Sequence, residues 1–137
     1  MAKLYFRYGA MNSGKSTGLL QTAYNYEERG QRVLLIKAAA DTKGEDSVVS
    51  RLGVSRRVDL LTDADDDLRA LVHQQALAGA QAVSDGDGTR QEAASLREVL
   101  NCVLIDEAQF LTPLQVDQLM EIVLVDDVPV LAYGIRT

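Results

Sequence analysis

The chain has 137 residues, with 14 Lys+Arg against 20 Asp+Glu and a formal net charge of −6. That length fits one domain, and a composition of 47% hydrophobic and 25% charged residues suits a soluble core without disulfide or metal staples. The acidic balance excludes a basic footprint for nucleic acid, the single cysteine, Cys102, excludes an internal disulfide or a multi-cysteine zinc site, and no apolar run approaches the roughly 20 residues of a membrane span. The amino terminus lacks the long apolar segment of a signal peptide. A reduced, cytoplasmic protein with no nucleic-acid or membrane partner is expected.

Leu4 to Tyr8, bounded by Gly9, reads as a buried strand, with Tyr5, Phe6 and Tyr8 in the core. A helix from Lys15 to Arg29 puts Leu19, Leu20, Ala23 and Tyr24 on one face, and Gly30 stops it. Tyr24 and Tyr26 are also candidates for a subunit interface. Val33 to Ile36 is a continuous apolar run, the pattern of a strand covered on both faces. Strand, helix and strand make a βαβ unit, which implies a parallel sheet.

The middle of the chain is less periodic. Val58 to Leu61 predicts a short strand. Asp65 to Ala82 predicts a helix whose acidic first turn favours the dipole, and the run Asp63-Ala-Asp-Asp-Asp67 is read that way rather than as a metal site. Residues 84–89 compose a surface loop, and Gln91 to Val99 a short helix. His73, the one histidine, reads as an ordinary helix residue and Cys102 as a small core residue.

Val103 to Ile105 is a fully apolar strand that ends in Asp106 and Glu107. The next helix starts with Thr112 as N-cap, Pro113 at the first helical position and Gln115 closing a capping box. Leu111 and Val116 stand where a hydrophobic staple would sit, and Val116, Leu119, Met120 and Val123 form the apolar stripe. After Asp126-Asp127, Val130 to Tyr133 is a last strand closed by Gly134.

Residues Gly9-Ala10-Met11-Asn12-Ser13-Gly14-Lys15-Ser16 match G-x-x-x-x-G-K-[ST], the phosphate-binding loop, between a strand and a helix. The glycines permit a path that turns successive N–H groups inward, and the helix start adds its own. Lys15 would bridge the β- and γ-phosphates of ATP, and the Ser16 hydroxyl would ligate Mg²⁺. Asp106, ending an apolar strand, stands where a Walker B carboxylate holds the same metal. Glu107 follows it and, on an extended backbone, points elsewhere, free to take a proton from water or from a substrate hydroxyl. The fold expected from these motifs is α/β: a P-loop NTPase (RecA-like) three-layer domain with a mostly parallel sheet, over residues 1–137.

Tyr8 to Thr17, Asn25 to Gly30, Val103 to Leu111 (Val-Leu-Ile-Asp-Glu-Ala-Gln-Phe-Leu) and Pro129 to Thr137 together resemble the bacterial, cytosolic-type thymidine kinases. They stand in family order and span most of the chain outside about residues 63–100. The resemblance implies transfer of the ATP γ-phosphate to the thymidine 5′-hydroxyl, with Glu107 as base and with Asp106, Glu107, Ala108 and Gln109 completing the nucleotide and metal site. It places Met11, Phe110 and Ile135 beside the thymine, and Asp41 and Lys43 near the reacting phosphates, with lysine where the family has arginine. It also implies a homo-oligomer. The family's closing loop and cysteine-built zinc segment would follow Thr137, so residues 1–137 are expected to hold the ATP half of the site and part of the thymidine pocket, with no zinc site. A P-loop ATPase, in which Glu107 activates water, and an ATP-binding fragment without turnover are the alternatives.

Overall fold

The computed structural model describes residues 1–9, 15–38, 47–49, 55–84 and 95–135. In chain order its elements are β1 (Leu4–Gly9), α1 (Lys15–Glu28), β2 (Val33–Ala38), β3 (Ser47–Val49), β4 (Ser55–Arg57), β5 (Leu60–Thr62), α2 (Leu68–Ser84), α3 (Leu96–Val99), β6 (Cys102–Asp106), a 3₁₀ turn (Ala108–Phe110), α4 (Pro113–Leu124) and β7 (Val130–Ile135). Five strands form one sheet in the order β1-β7-β6-β2-β5, every pair parallel. β3 and β4 form a separate antiparallel pair.

The alternation of strand side chains builds two cores, one on each face of the sheet. Cys102 and Leu104 of β6, Leu35 of β2 and Tyr133 of β7 pack with Leu19 and Ala23 of α1 and with Val48 of β3. Val103 and Ile105, Leu34 and Ile36, and Val130 and Ala132 face the other way, onto α2, α3 and α4. Helix, sheet, helix is the three-layer α/β arrangement expected. The first-expected strands and helices are all present, and β6 is buried along its whole length, as its apolar run requires.

Local signals account for most boundaries. α1 ends in a Schellman motif: Gly30, at φ 74°, donates its N–H to the Glu27 carbonyl at 3.0 Å, and Gln31 donates to Tyr26 at 3.0 Å. α4 starts with the expected capping box. Gln115 N–H donates to Thr112 Oγ1, and Thr112 N–H donates to Gln115 Oε1, both at 3.1 Å. Burial pushes the Cys102 thiol up to about 12, against a hydrogen bond with Tyr26 that lowers it; it is a core residue, as read.

Several expectations need correction. β1 is an edge strand rather than a buried one. Among the described residues only β7 lies beside it; Tyr5, Phe6 and Tyr8 are 46%, 38% and 44% exposed, and Phe6 and Tyr8 stack on one another. The buried face of α1 passes through Leu19 and Ala23, and Tyr24 lies outside it, while Tyr26 packs against the core. The acidic run precedes α2 instead of filling its first turn: Asp63 and Asp65 shape a turn, and Asp67 caps the helix by accepting Ala70 N–H at 3.1 Å. β5 begins at Leu60; just before it Asp59 is tied to β2 twice, its N–H donating to Leu35 C=O and its carboxylate accepting Leu35 N–H, each at 2.8 Å. Gly134 does not close β7 but lies within it. The loop expected over 84–89 lies outside the described residues apart from Ser84, as do residues 91–94 of the expected short helix. Among the described residues, no helix is long and apolar enough to cross a membrane.

Candidate active site at the carboxyl edge of the sheet

In a parallel sheet every strand delivers its carboxyl end to the same edge, where open α/β folds bind ligands. Here that edge holds the predicted site residues that are described. β1 ends at Gly9, paired with Ile135 of β7. β6 ends at Asp106, paired with Lys37 of β2. One strand, β7, separates β1 from β6, and Gly9 lies two residues further along than Asp106, so the two stand roughly 12 Å apart across the sheet. α1 starts at Lys15 and carries the phosphate-loop lysine and serine in its first turn, with its amide-rich end at this edge. Ala10, Met11, Asn12, Ser13 and Gly14 lie outside the described residues, as do Asp41 and Lys43.

Asp106 is 3% exposed, and an ionised group buried to that extent needs compensating partners. Glu107 is partly exposed and takes a left-handed backbone, φ 59° and ψ 41°. Such a conformation is costly for a non-glycine residue, by about 1–3 kcal/mol, and is concentrated at functional sites. The expected extended backbone at Glu107 is therefore replaced by a sharp reversal. That reversal ends β6 and feeds the 3₁₀ turn, where Phe110 N–H donates to Glu107 C=O and Leu111 N–H to Ala108 C=O, each at 3.1 Å.

The turn distributes its side chains. Ala108 enters the core beside α4. Phe110 is 43% exposed and leaves an aromatic face open. Gln109 turns toward Glu107 and β7: its Nε2 donates to Glu107 Oε2 at 2.6 Å, and its Oε1 accepts Ile135 N–H at 3.1 Å. Ile135 thus meets the site through its backbone. The sequence reading placed Gln109 in the nucleotide site and missed this bridge, because the partner Ile135 lies 26 positions away. The closeness of Gly134 to Gln109 was missed for the same reason.

Among the described residues, no group of three or more His, Cys, Asp or Glu side chains is placed to hold a metal ion. A Mg²⁺ ion does not need one, since it is commonly held by one or two carboxylates with water and substrate phosphates. The buried Asp106 carboxylate at the end of β6 is a hard-oxygen donor of the kind such an ion takes. A surface groove between α2 and α4, lined by Arg69, His73, Gln118 and Glu121 among others, contains none of the predicted site residues.

Comparison with known proteins adds an independent line. A family model described as "Thymidine kinase" matches residues 2–84 and 69–137. The chain is 44% identical over 138 residues to a thymidine kinase of Idiomarina loihiensis, covering 100% of this chain and 61% of that protein. It is 43% identical to a thymidine kinase of Photorhabdus laumondii, covering 100% and 59%, and 44% identical to one of Ruegeria pomeroyi, covering 99% and 59%. The chain thus spans about three-fifths of the length of these curated relatives.

Proposed function

Because this chain belongs to the thymidine kinase family, we propose that it binds Mg·ATP and serves transfer of the γ-phosphoryl group to the 5′-hydroxyl of thymidine, giving dTMP and ADP. The observation that carries this reading is the contrast between two adjacent carboxylates at the edge where Gly9 ends β1. Asp106 is buried, whereas Glu107 is partly exposed and held by Gln109. That division suits one carboxylate for a metal and the other for a proton.

On this reading Gly9 to Ser16 cradle the phosphates with backbone N–H groups, aided by the amino terminus of α1, and Lys15 takes the β- and γ-phosphate charge. Ser16 and Asp106 would hold Mg²⁺, which when bound neutralises charge on the phosphate oxygens. Glu107 accepts the proton of the 5′-hydroxyl. The new bond joins O5′ to the γ-phosphorus as the bond from that phosphorus to the β–γ bridging oxygen breaks, and the electron pair leaves on ADP. Ala108 and Gln109 complete the nucleotide side. Met11, Phe110 and Ile135 border the thymine, Phe110 offering its exposed ring, while Asp41 and Lys43 lie toward the reacting phosphates. Residues 1–137 act as one ATP-binding unit without a zinc site, in a cytoplasmic homo-oligomer.

The test is Glu107→Gln, assayed by dTMP formation and by ATP binding. Turnover should fall by roughly 10²–10⁴-fold, the usual contribution of a general base, with ATP affinity nearly unchanged. Wild-type turnover in the variant would remove Glu107 from the chemistry. ATP consumption that ignores thymidine would point instead to an ATPase, and ATP binding without any turnover by the unsubstituted chain to a silent nucleotide-binding unit.

A further inference from the structure

We propose that Gln109 is a positioning residue, the rigid link that fixes the Glu107 carboxylate against the carboxyl end of β7. This rests on the reading of Glu107 as the base. The backbone N–H of Ile135 can only donate, so the Gln109 atom facing it at 3.1 Å must be the amide oxygen. The planar amide then necessarily turns its NH₂ toward Glu107, and Nε2 lies 2.6 Å from Oε2. An NH₂ group has no lone pair to offer, so that carboxylate oxygen must be the acceptor. The amide therefore gives one Glu107 oxygen a fixed donor and so aims the carboxylate.

The link has little slack. Glu107 leaves β6 in a left-handed conformation, and the backbone nitrogen of Gln109 lies 3.1 Å from where a Cβ on Gly134 would stand. The bridge is thus pinned to β7 by backbone packing as well as by its hydrogen bond. Both ends of the amide are engaged within the protein, leaving one N–H for any nucleotide. Geometry within a fraction of an ångström decides the efficiency of such groups, and a misplacement of about 1 Å costs about 10²-fold.

The experiment compares Gln109→Ala and Gln109→Glu, each alone and in the Glu107→Gln background, for kcat, for the ATP KM and for ATP binding. Gln109→Glu keeps an acceptor for Ile135 but cannot donate to Glu107, so it separates aiming from folding. Each single variant should lower kcat by about 10–100-fold with the ATP KM changed less than about twofold. In the Glu107→Gln background, neither should cost anything further. A raised ATP KM with unchanged kcat, or losses that multiply in the double variants, would overturn the proposal and leave Gln109 its nucleotide contact alone. Loss in Glu107→Gln with full activity in both Gln109 variants defeats this inference alone, whereas full activity in Glu107→Gln defeats the reading beneath it. On the chain itself, the Gln109 side-chain amide resonance should shift in Glu107→Ala, and the Ile135 amide should exchange faster in Gln109→Ala. An unmoved Gln109 resonance would also overturn the link.

Discussion

A methyl group on Gly134 would stand 2.8 Å from Cε1 of Tyr8 and 3.1 Å from the backbone nitrogen of Gln109. The first contact could be relieved, because the Tyr8 ring is 44% exposed and can swing away at the cost of its stacking on Phe6. The second involves backbone and cannot be relieved without moving the 3₁₀ turn. Gly134→Ala should therefore destabilise by about 1–3 kcal/mol, the range for overpacking a filled site, read from the urea midpoint. Adding Tyr8→Ala should recover only part of that loss. Full recovery would show that the turn does not press on β7. A glycine after an apolar run reads as a stop because sequence shows its neighbours along the chain and hides the segment lying against it in space. Gly30 was legible for the opposite reason: its left-handed φ serves the end of its own helix. The place of Asp106 and Glu107 at the end of β6 was readable from the apolar run before them. The Gln109 bridge was not, since it needs β7 beside the turn.

Elements repeat this division between local and distant causes. The capping box at the start of α4 was legible because all its parts lie within four residues. Its further use was not: Gln115 is 2% exposed, and its Nε2 donates to Asp63 C=O at 2.7 Å and to Asp66 C=O at 3.1 Å. The same side chain thus caps α4 and holds the turn that precedes α2, while Gln118 accepts Leu68 N–H at 2.8 Å. A capping box tolerates glutamate as well as glutamine, so the local rule allows Gln115→Glu. The structure does not, since a carboxylate would lose both donors and face two carbonyl oxygens in a buried position. The expected cost is about 2–3 kcal/mol at neutral pH, measured by chemical denaturation. A neutral outcome would mean that the local cap is all Gln115 provides. The shifted start of α2 has the same origin, because the aspartates before it serve the turn that Gln115 holds.

At the scale of the whole molecule, the position of a strand within its sheet decides exposure, and strand order leaves no trace in local pattern. Leu4 to Tyr8, apolar and aromatic apart from Arg7, reads as a strand like Val103 to Ile105, yet β1 is an edge and β6 lies at the centre of the same sheet. What joins the edges to the helical layer is the turn at Asp126 and Asp127. Asp127 accepts Ala2 N–H at 2.9 Å ahead of β1 and Arg97 Nη1 at 2.9 Å beside α3. Asp126 accepts Arg69 Nε at 3.1 Å and Nη2 at 3.2 Å, and lies 3.0 Å from His73 Nε2, all on α2. The Arg97 pair is exposed and contributes little, but the Asp126 side chain is only 9% exposed. Burial alone would raise its carboxyl, and the hydrogen bonds from Arg69 and His73 outweigh that and hold it below its ordinary 3.8. In the unfolded chain the carboxyl reverts to the ordinary value, so on acidification the unfolded state takes up the proton first. The stability that this pairing supplies is complete above about pH 4 and is lost as the pH falls through the depressed folded value. Asp126→Asn should therefore lower stability by about 1–2 kcal/mol at pH 7, and the gap between the two proteins should close below about pH 4. Urea unfolding at pH 7, 5, 4 and 3 measures that gap. A difference that stayed constant through the acid range would mean that Asp126 acts through packing and neutral hydrogen bonds, and that its charge does not tie α2 to the end of α4.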